Sequence, residues 1–312
     1  MALFNRRDKD PKAARQAGGG AEAQALAERP SGELARKGFS MTVGALEAAL
    51  LKEFPAEDAE SWDRTGVLVG ERALPVRKVA VALDPTVAAI REAAQNGANV
   101  LVTHHPAFLA APDAFAPEPS AALCPGAGVW AAIQGQVALM DFHTALDVSP
   151  RAARVLPGML GLTFKGTFAE PLASSRKKGY GQVCEVRAND APETLGRLAA
   201  RCTSVFGRQP RVWGDFDAPV RTAVTATGSA GSLGRACLGL GADVLVCGEV
   251  KYHDALELSA AGLSVIELGH DVSELPLVAV LAEALLRVGV PDDRMVAIDQ
   301  SANWAYPEAI RI

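Results

Sequence analysis

Apolar positions in this chain gather into short runs separated by Ala- and Leu-rich stretches, a spacing that predicts strands alternating with helices. Residues 75–102 read PVRKVAVALDPTVAAIREAAQNGANVLV, and residues 219–246 read PVRTAVTATGSAGSLGRACLGLGADVLV. Each is an apolar run, a turn, a helical stretch ending at Gly-Ala, and a second apolar run, which reads as a parallel βαβ unit. The offset is 144 throughout, without a gap, and ten of the twenty-eight positions are identical. Ungapped identity at Pro-Val-Arg and Gly-Ala-x-Val-Leu-Val favours duplication over the ordinary likeness of two Val- and Ala-rich units. A further apolar run follows each copy, VALMDFH at 137–143 and LSVIELGH at 263–270. The expected fold is therefore α/β, with two pseudo-repeated βαβ lobes and polar groups collected at the carboxyl ends of the strands.

The flanking patterns set the organisation. TVGALEAALLKEF after Met41 places Leu46, Leu50 and Leu51 on one helical face, with Thr42 as N-cap. Residues 1–40, with GGG at 18–20, lack sustained periodicity and read as a flexible extension; Met41 is an alternative start. The expected division is lobe one at about 41–150, a connection at about 151–213 and lobe two at about 214–312. Within the connection, ASSRKKGYG reads as a polar loop, QVCEVRA as a strand and APETLGRLAARCTSVFG as a helix. Leu275 to Val290, interrupted by Glu283 and Arg287, reads as an amphipathic helix against a core.

Composition narrows the class. Of 312 residues 49% are apolar and 21% charged, enough to bury a core. A net charge of −5 disfavours a generic nucleic-acid partner, which calls for a basic face. Five cysteines (Cys124, Cys184, Cys202, Cys237 and Cys247) form no CxxC pair, which fits a reducing cytoplasm better than a disulfide framework. The charged N-terminus lacks the apolar core of a signal peptide, and no membrane segment is expected.

The candidate chemistry sits with five histidines, all in or just after the repeated units: His104, His105, His143, His253 and His270. His104 and His105 follow VLVT directly, and Pro106 favours an extended or turn geometry there. His143 and His270 each have a carboxylate four residues later, Asp147 and Glu274. Imidazole nitrogens and carboxylate oxygens together suit divalent zinc, manganese, iron or cobalt. His104, His105, Asp147, His270 and Glu274 exceed what one tetrahedral catalytic ion requires, so they predict two ions per chain. His143 is a further ligand or an orienting partner for Asp147. His253 and Glu249, in GEVKYHDA, are candidates for proton transfer. Trp62-Asp63-Arg64-Thr65-Gly66 reads as a turn near the site. The Gly228–Ser232 segment is a candidate anion loop, although it matches neither a Walker motif nor GxGxxG.

LVTHHP, HTALD, GEVKYHDA and GHDVSE, with WDRTGVLVG upstream, resemble the Nif-three-like dinuclear-metal proteins, many of which are labelled GTP cyclohydrolase I type 2 homologues. The resemblance runs from about Met41 to the C-terminus. It implies a two-lobed α/β fold with a metal pair between the lobes. It also implies His104, His105, Asp147, His270 and Glu274 as the ligands, and a ring-like hexameric homo-oligomer. This chain looks like the short form, without an inserted domain between the lobes. It departs from the family pattern at Arg64, where Asn is usual, and in PAFLAAPDAFAPEPS after the histidine doublet.

Two functions compete at this level. In the first, a metal-dependent hydrolase activates water against a purine ring carbon or a phosphoester, so that its partner is a nucleotide or phosphorylated small molecule. In the second, a non-enzymatic metal-binding oligomer carries metal or docks proteins.

Overall fold

Buried Val, Leu and Ala runs build the first lobe, and the computed structural model describes residues 39–117, 126–187 and 192–305. Helix α1 (Val43–Glu53) begins at Thr42, whose side chain accepts from the Ala45 N–H and so satisfies one free donor of the first turn. Strand β1 (Thr65–Val69) is followed by β2 (Val79–Ala82), α2 (Val87–Gln95) and β3 (Val100–Thr103). Helix α3 (Gly126–Gly135), β4 (Ala138–Phe142) and the single turn α4 (Thr144–Asp147) complete the lobe. β2, β3 and β4 are buried along their whole length, as parallel strands covered on both faces are. β2, β3 and β4 pair in parallel, and β1 closes against β4 antiparallel.

After α5 (Val155–Met159) the chain forms a long hairpin, β5 (Thr163–Leu172) and β6 (Ser175–Glu185). The stretch read as a polar loop is therefore mostly strand: Arg176, Lys177 and Lys178 belong to β6. Its first residues leave both faces largely open to water, so Lys and Arg occupy a strand without the alternation that would announce one. Helix α6 (Leu195–Phe206) and β7 (Arg211–Trp213) lead to β8 (Thr222–Thr225), α7 (Leu233–Gly239) and β9 (Val244–Cys247). Helix α8 (Tyr252–Ala260), β10 (Ser264–Glu267), α9 (His270–Glu274) and α10 (Leu277–Arg287) follow. The second sheet runs β5-β6-β8-β9-β10-β7, with β8, β9 and β10 parallel. The last strand, β11 (Met295–Ala297), returns to the first sheet beside β2, giving β1-β4-β3-β2-β11.

The duplication is larger than the two βαβ units. β7 pairs antiparallel with β10 as β1 does with β4. Thr194 caps α6 as Thr42 caps α1. The Gly44 and Gly196 N–H groups donate to the carbonyls of Arg72 and Phe216, both at 2.9 Å. Asn99 and Asp243, 144 residues apart, accept from the backbone N–H groups of Arg77 and Arg221 at 2.7 Å. The stretch read as a connection thus supplies α6 and β7 to the second copy and the β5–β6 hairpin to the edge of its sheet. Among the described residues no helix is long and apolar enough to cross a membrane.

Candidate metal centre

The parallel strands of both sheets end at one place. Beyond β3 the ladder continues for two residues: the His104 N–H donates to the Ala82 carbonyl at 3.3 Å and the His105 N–H to the Leu83 carbonyl at 2.9 Å. The Thr103 hydroxyl donates to the His105 carbonyl at 2.7 Å and holds the doublet in this turn. His104 is fully buried, and neither of its ring nitrogens has a hydrogen-bond partner. Leaving two buried imidazole nitrogens unmatched is costly, whereas a bound cation would meet them.

Lobe two answers with α9, on which His270 and Glu274 are one turn apart and share a face. Backbone contacts set this turn in place: Ser273 donates to the His270 carbonyl at 2.8 Å and accepts from the Gly228 N–H at 2.9 Å. Gly228 has φ +60°, and a Cβ there would strike the Glu274 carboxylate. A Cβ on Gly248 would strike Gly228 and Ser273. Gly248 occupies, at the repeat offset, the position of His104. One lobe places an imidazole where the other leaves room for backbone to approach.

Glu274 is the centre of the arrangement. One oxygen is 3.0 Å from His105 Nε2 and 3.1 Å from His270 Nε2, and the other is 3.6 Å from His104 Nε2. The nearer oxygen makes no hydrogen bond in good geometry with either ring. Asp147, on α4, is 3.6 Å from His104 Nε2 and accepts from the Thr227 hydroxyl of lobe two at 3.2 Å. Among the described residues three overlapping trios result: His104, His105 and His143; His105, His270 and Glu274; His104, Asp147 and Glu274. Within each trio the candidate ligand atoms lie within 4.8 Å of one another. This donor set fits a divalent cation.

Carboxylates stand behind the histidines. Asp84 is 2.7 Å from His105 Nδ1, Asp63 is 2.9 Å from His143 Nδ1, and Glu249 is 3.1 Å from His270 Nδ1. Such partners fix which nitrogen faces the site. Burial works against charge on His105, but Asp84 and Glu274 outweigh it and push its pKa up to about 10. The Glu274 contact raises His270 to about 9 against burial, with help from Glu249. Burial likewise opposes Asp63, yet hydrogen bonds from His143 and Thr144 bring it down to about 2. Asp141, wholly buried in β4 with no partner for either oxygen, is pushed up to about 9, mainly by burial and then by Asp63.

A C-terminal strap braces both sides. Gln300 accepts from the Leu83 and Asp84 N–H groups at 2.9 and 2.8 Å and donates to the Asp84 carbonyl at 3.0 Å. Trp304 donates from its indole to Asp271 of α9 at 2.9 Å.

The structure brings His104, His105, Asp147, His270 and Glu274 together, and adds His143 to their edge. The two His-plus-four pairs are not equivalent, because strand register aligns Asp141 with Thr103 and Glu267 with Cys247. His143 therefore matches Gly269, the residue before His270. Glu249 reaches the site through His270. His253 lies exposed on the first turn of α8 with its ring against Tyr252, and does not line the adjoining cavity. The Trp62–Gly66 segment is at the site, although Thr65 and Gly66 open β1 rather than belong to a turn: Asp63 holds His143 and Thr144, and the Trp62 ring meets His143 edge-on at 5.8 Å. Residues Ser229–Ser232 line the cavity, but α7 behind them has only seven residues and the loop lies beside Glu274. Sequence reasoning missed Asp84, Gln300 and Tyr180, which have no motif of their own.

Fold and cluster together define a two-lobed α/β protein with a His/Asp/Glu centre between its lobes. The chain belongs to the Duf34/NIF3 (NGG1p interacting factor 3) family, whose sequence model matches residues 41–303. It is 33% identical over 244 residues to a GTP cyclohydrolase 1 type 2 homolog of Streptomyces coelicolor, covering 76% of this chain and 82% of that relative. A homolog of the same description from Clostridium acetobutylicum is 26% identical, covering 76% and 87%. The fold is similar to a Staphylococcus aureus hypothetical protein at TM-score 0.74 and 24% identity, over 86% of this chain and all of that one. A Bacillus cereus protein related to NIF3 matches at TM-score 0.72 and 19% identity, over 83% and 96%. The family expected from LVTHHP and GHDVSE is thereby borne out.

Proposed function

We propose that this chain is a metal-dependent hydrolase holding two divalent cations. His104, His105 and Asp147 of one lobe and His270 and Glu274 of the other are the holding residues. The observation that carries this reading is Glu274: a buried carboxylate among three imidazole nitrogens at 3.0, 3.1 and 3.6 Å, with one oxygen lacking a hydrogen bond in good geometry. Cations held there supply Lewis acidity and lower the pKa of water toward neutrality. The chain's own residues do the rest. Asp84, Asp63 and Glu249 orient the rings, and Glu249, half exposed beside His270, is placed to accept a proton. His253 is set aside as a proton carrier because it does not line the cavity.

The alternative, a metal-binding oligomer without catalysis, finds less support, because a cavity of about 520 Å³ opens directly onto Asp147, His270 and Glu274. A hexameric assembly belongs to either reading, and its mass in solution is read by sedimentation. The test of the centre is elemental analysis. The unaltered protein is expected to hold about two ions per chain, and His104→Ala or Glu274→Ala one or none. Unchanged metal content in both folded variants would overturn the assignment.

A further inference from the structure

The cavity beside the centre and the groups behind it together hold more carboxylates than two divalent cations would offset. Asp147 and Glu274 line it beside the candidate metal positions, while Asp63, Asp84 and Glu249 stand behind the histidines, outside its lining. Those five carboxylates already exceed the four positive charges of two divalent cations. Two more, Glu60 and Glu170, line the same cavity. The basic side chains close by are committed elsewhere. Lys178 is paired with Asp58, and the Arg64 Nε–H donates to the Leu109 carbonyl at 2.6 Å with its guanidinium 5.9 Å from the Phe108 ring. Among the described residues the cavity lining includes neither Lys nor Arg. A phosphate entering here would meet carboxylates in a partly enclosed, low-dielectric space, where like charges repel more strongly than in water.

The remaining lining is suited to a different guest. Trp62, 55% exposed, and Leu109 offer apolar surface at the cavity. The Tyr180 hydroxyl is sealed from solvent beside the Glu60 carboxylate. Burial, then the neighbouring Glu60 and Asp147, hold that phenol protonated well above its usual range. Glu170 accepts from the Ser232 hydroxyl at 3.2 Å and keeps acceptor capacity. An aromatic face combined with carboxylates is the ordinary recognition chemistry for planar groups bearing N–H or positive charge.

Resting on the hydrolase reading above, we infer that the substrate is an uncharged or cationic small molecule carrying N–H donors, recognised by Glu60, Glu170 and Trp62, rather than a phosphorylated one. The probes are three phenyl hydroxamates, anchored on the metal by the hydroxamate and differing only in a para guanidinium, methyl or phosphonate group. Binding to the metal-loaded full chain is measured by calorimetry, with metal content read in parallel. The guanidinium probe is expected to bind at least about tenfold more tightly than the phosphonate, since charges a few ångströms apart at intermediate dielectric are worth that much. In Glu60→Gln/Glu170→Gln that preference is expected to fall to about twofold or less with metal content retained. A phosphonate bound as tightly as the guanidinium, or an unchanged ratio in the metal-loaded double variant, overturns the inference and leaves the metal centre standing. Metal bound but no probe held also overturns it and favours the non-catalytic reading. Neither metal nor probe bound overturns both this inference and the hydrolase.

Discussion

Glu274 shows how one side chain sets the character of its neighbours. Burial opposes its charge, but the imidazoles of His104, His105 and His270 hold it ionised well below the ordinary carboxylate range. In return, His105 and His270 keep their protons up to about 10 and about 9. Without metal, protons take the cations' place. Loading a divalent cation near pH 7.5 is therefore expected to release about two protons per chain, seen as a dependence of the calorimetric heat on the buffer's ionisation enthalpy. A heat independent of buffer would count against these ligands. The sign for stability follows. Both groups bind protons more tightly folded than unfolded, where the value is about 6.5. Their contribution to the chelated protein is complete below that and fades as pH rises through about 9 to 10. The clustered residues themselves were legible in sequence, because a doublet and two His-plus-four pairs are local patterns. Asp84 was not, since its role depends on contact with a histidine 21 residues on.

At the scale of elements, strand ends and short turns do the positioning, and their backbone bonds are what a sequence hides. The pairing of His270 with Glu274 was legible from GHDVSE, although the α9 turn that carries it was not. The Gln300 strap was not: it acts through three hydrogen bonds to a loop more than two hundred residues earlier. Gln300→Ala leaves two backbone N–H groups unmet. It is expected to cost roughly 1–3 kcal/mol of stability and to weaken metal binding through a loosened Asp84–His105 pair. Thermal melting and a competition titration for metal would check both, and full affinity in the destabilised variant would confine the strap to folding. The second copies of α1 and β1 escaped notice for a related reason. Thr42-Val-Gly-Ala-Leu46 and Thr194-Leu-Gly-Arg-Leu198 are alike, but the loops that follow differ in length and shift the offset from 152 to 144. The β6 strand was masked by its Lys and Arg.

At the scale of the whole molecule, two copies of one architecture have divided the work. The first contributes the doublet and Asp147. The second contributes α9 and, at the doublet's place, Gly248 and Glu249. On the proposed reading, cations held by both halves would join them as a crosslink does, so removing metal is expected to lower the melting temperature by several degrees. Linkage gives about 2.7 kcal/mol of stabilisation at a free metal concentration a hundredfold above the dissociation constant. Differential scanning calorimetry with and without chelator reads this, and an unchanged midpoint would place the metal outside the fold's stability.

The strap also orders events in time. A ribosome delivers Leu83 217 residues before the Gln300 that caps its loop, and β2 long before the β11 strand that covers its edge. The first lobe must wait, one sheet edge open, until nearly all of the polypeptide has emerged, and a product released early by a premature stop would present His104 and His105 with no His270 or Glu274 to face them.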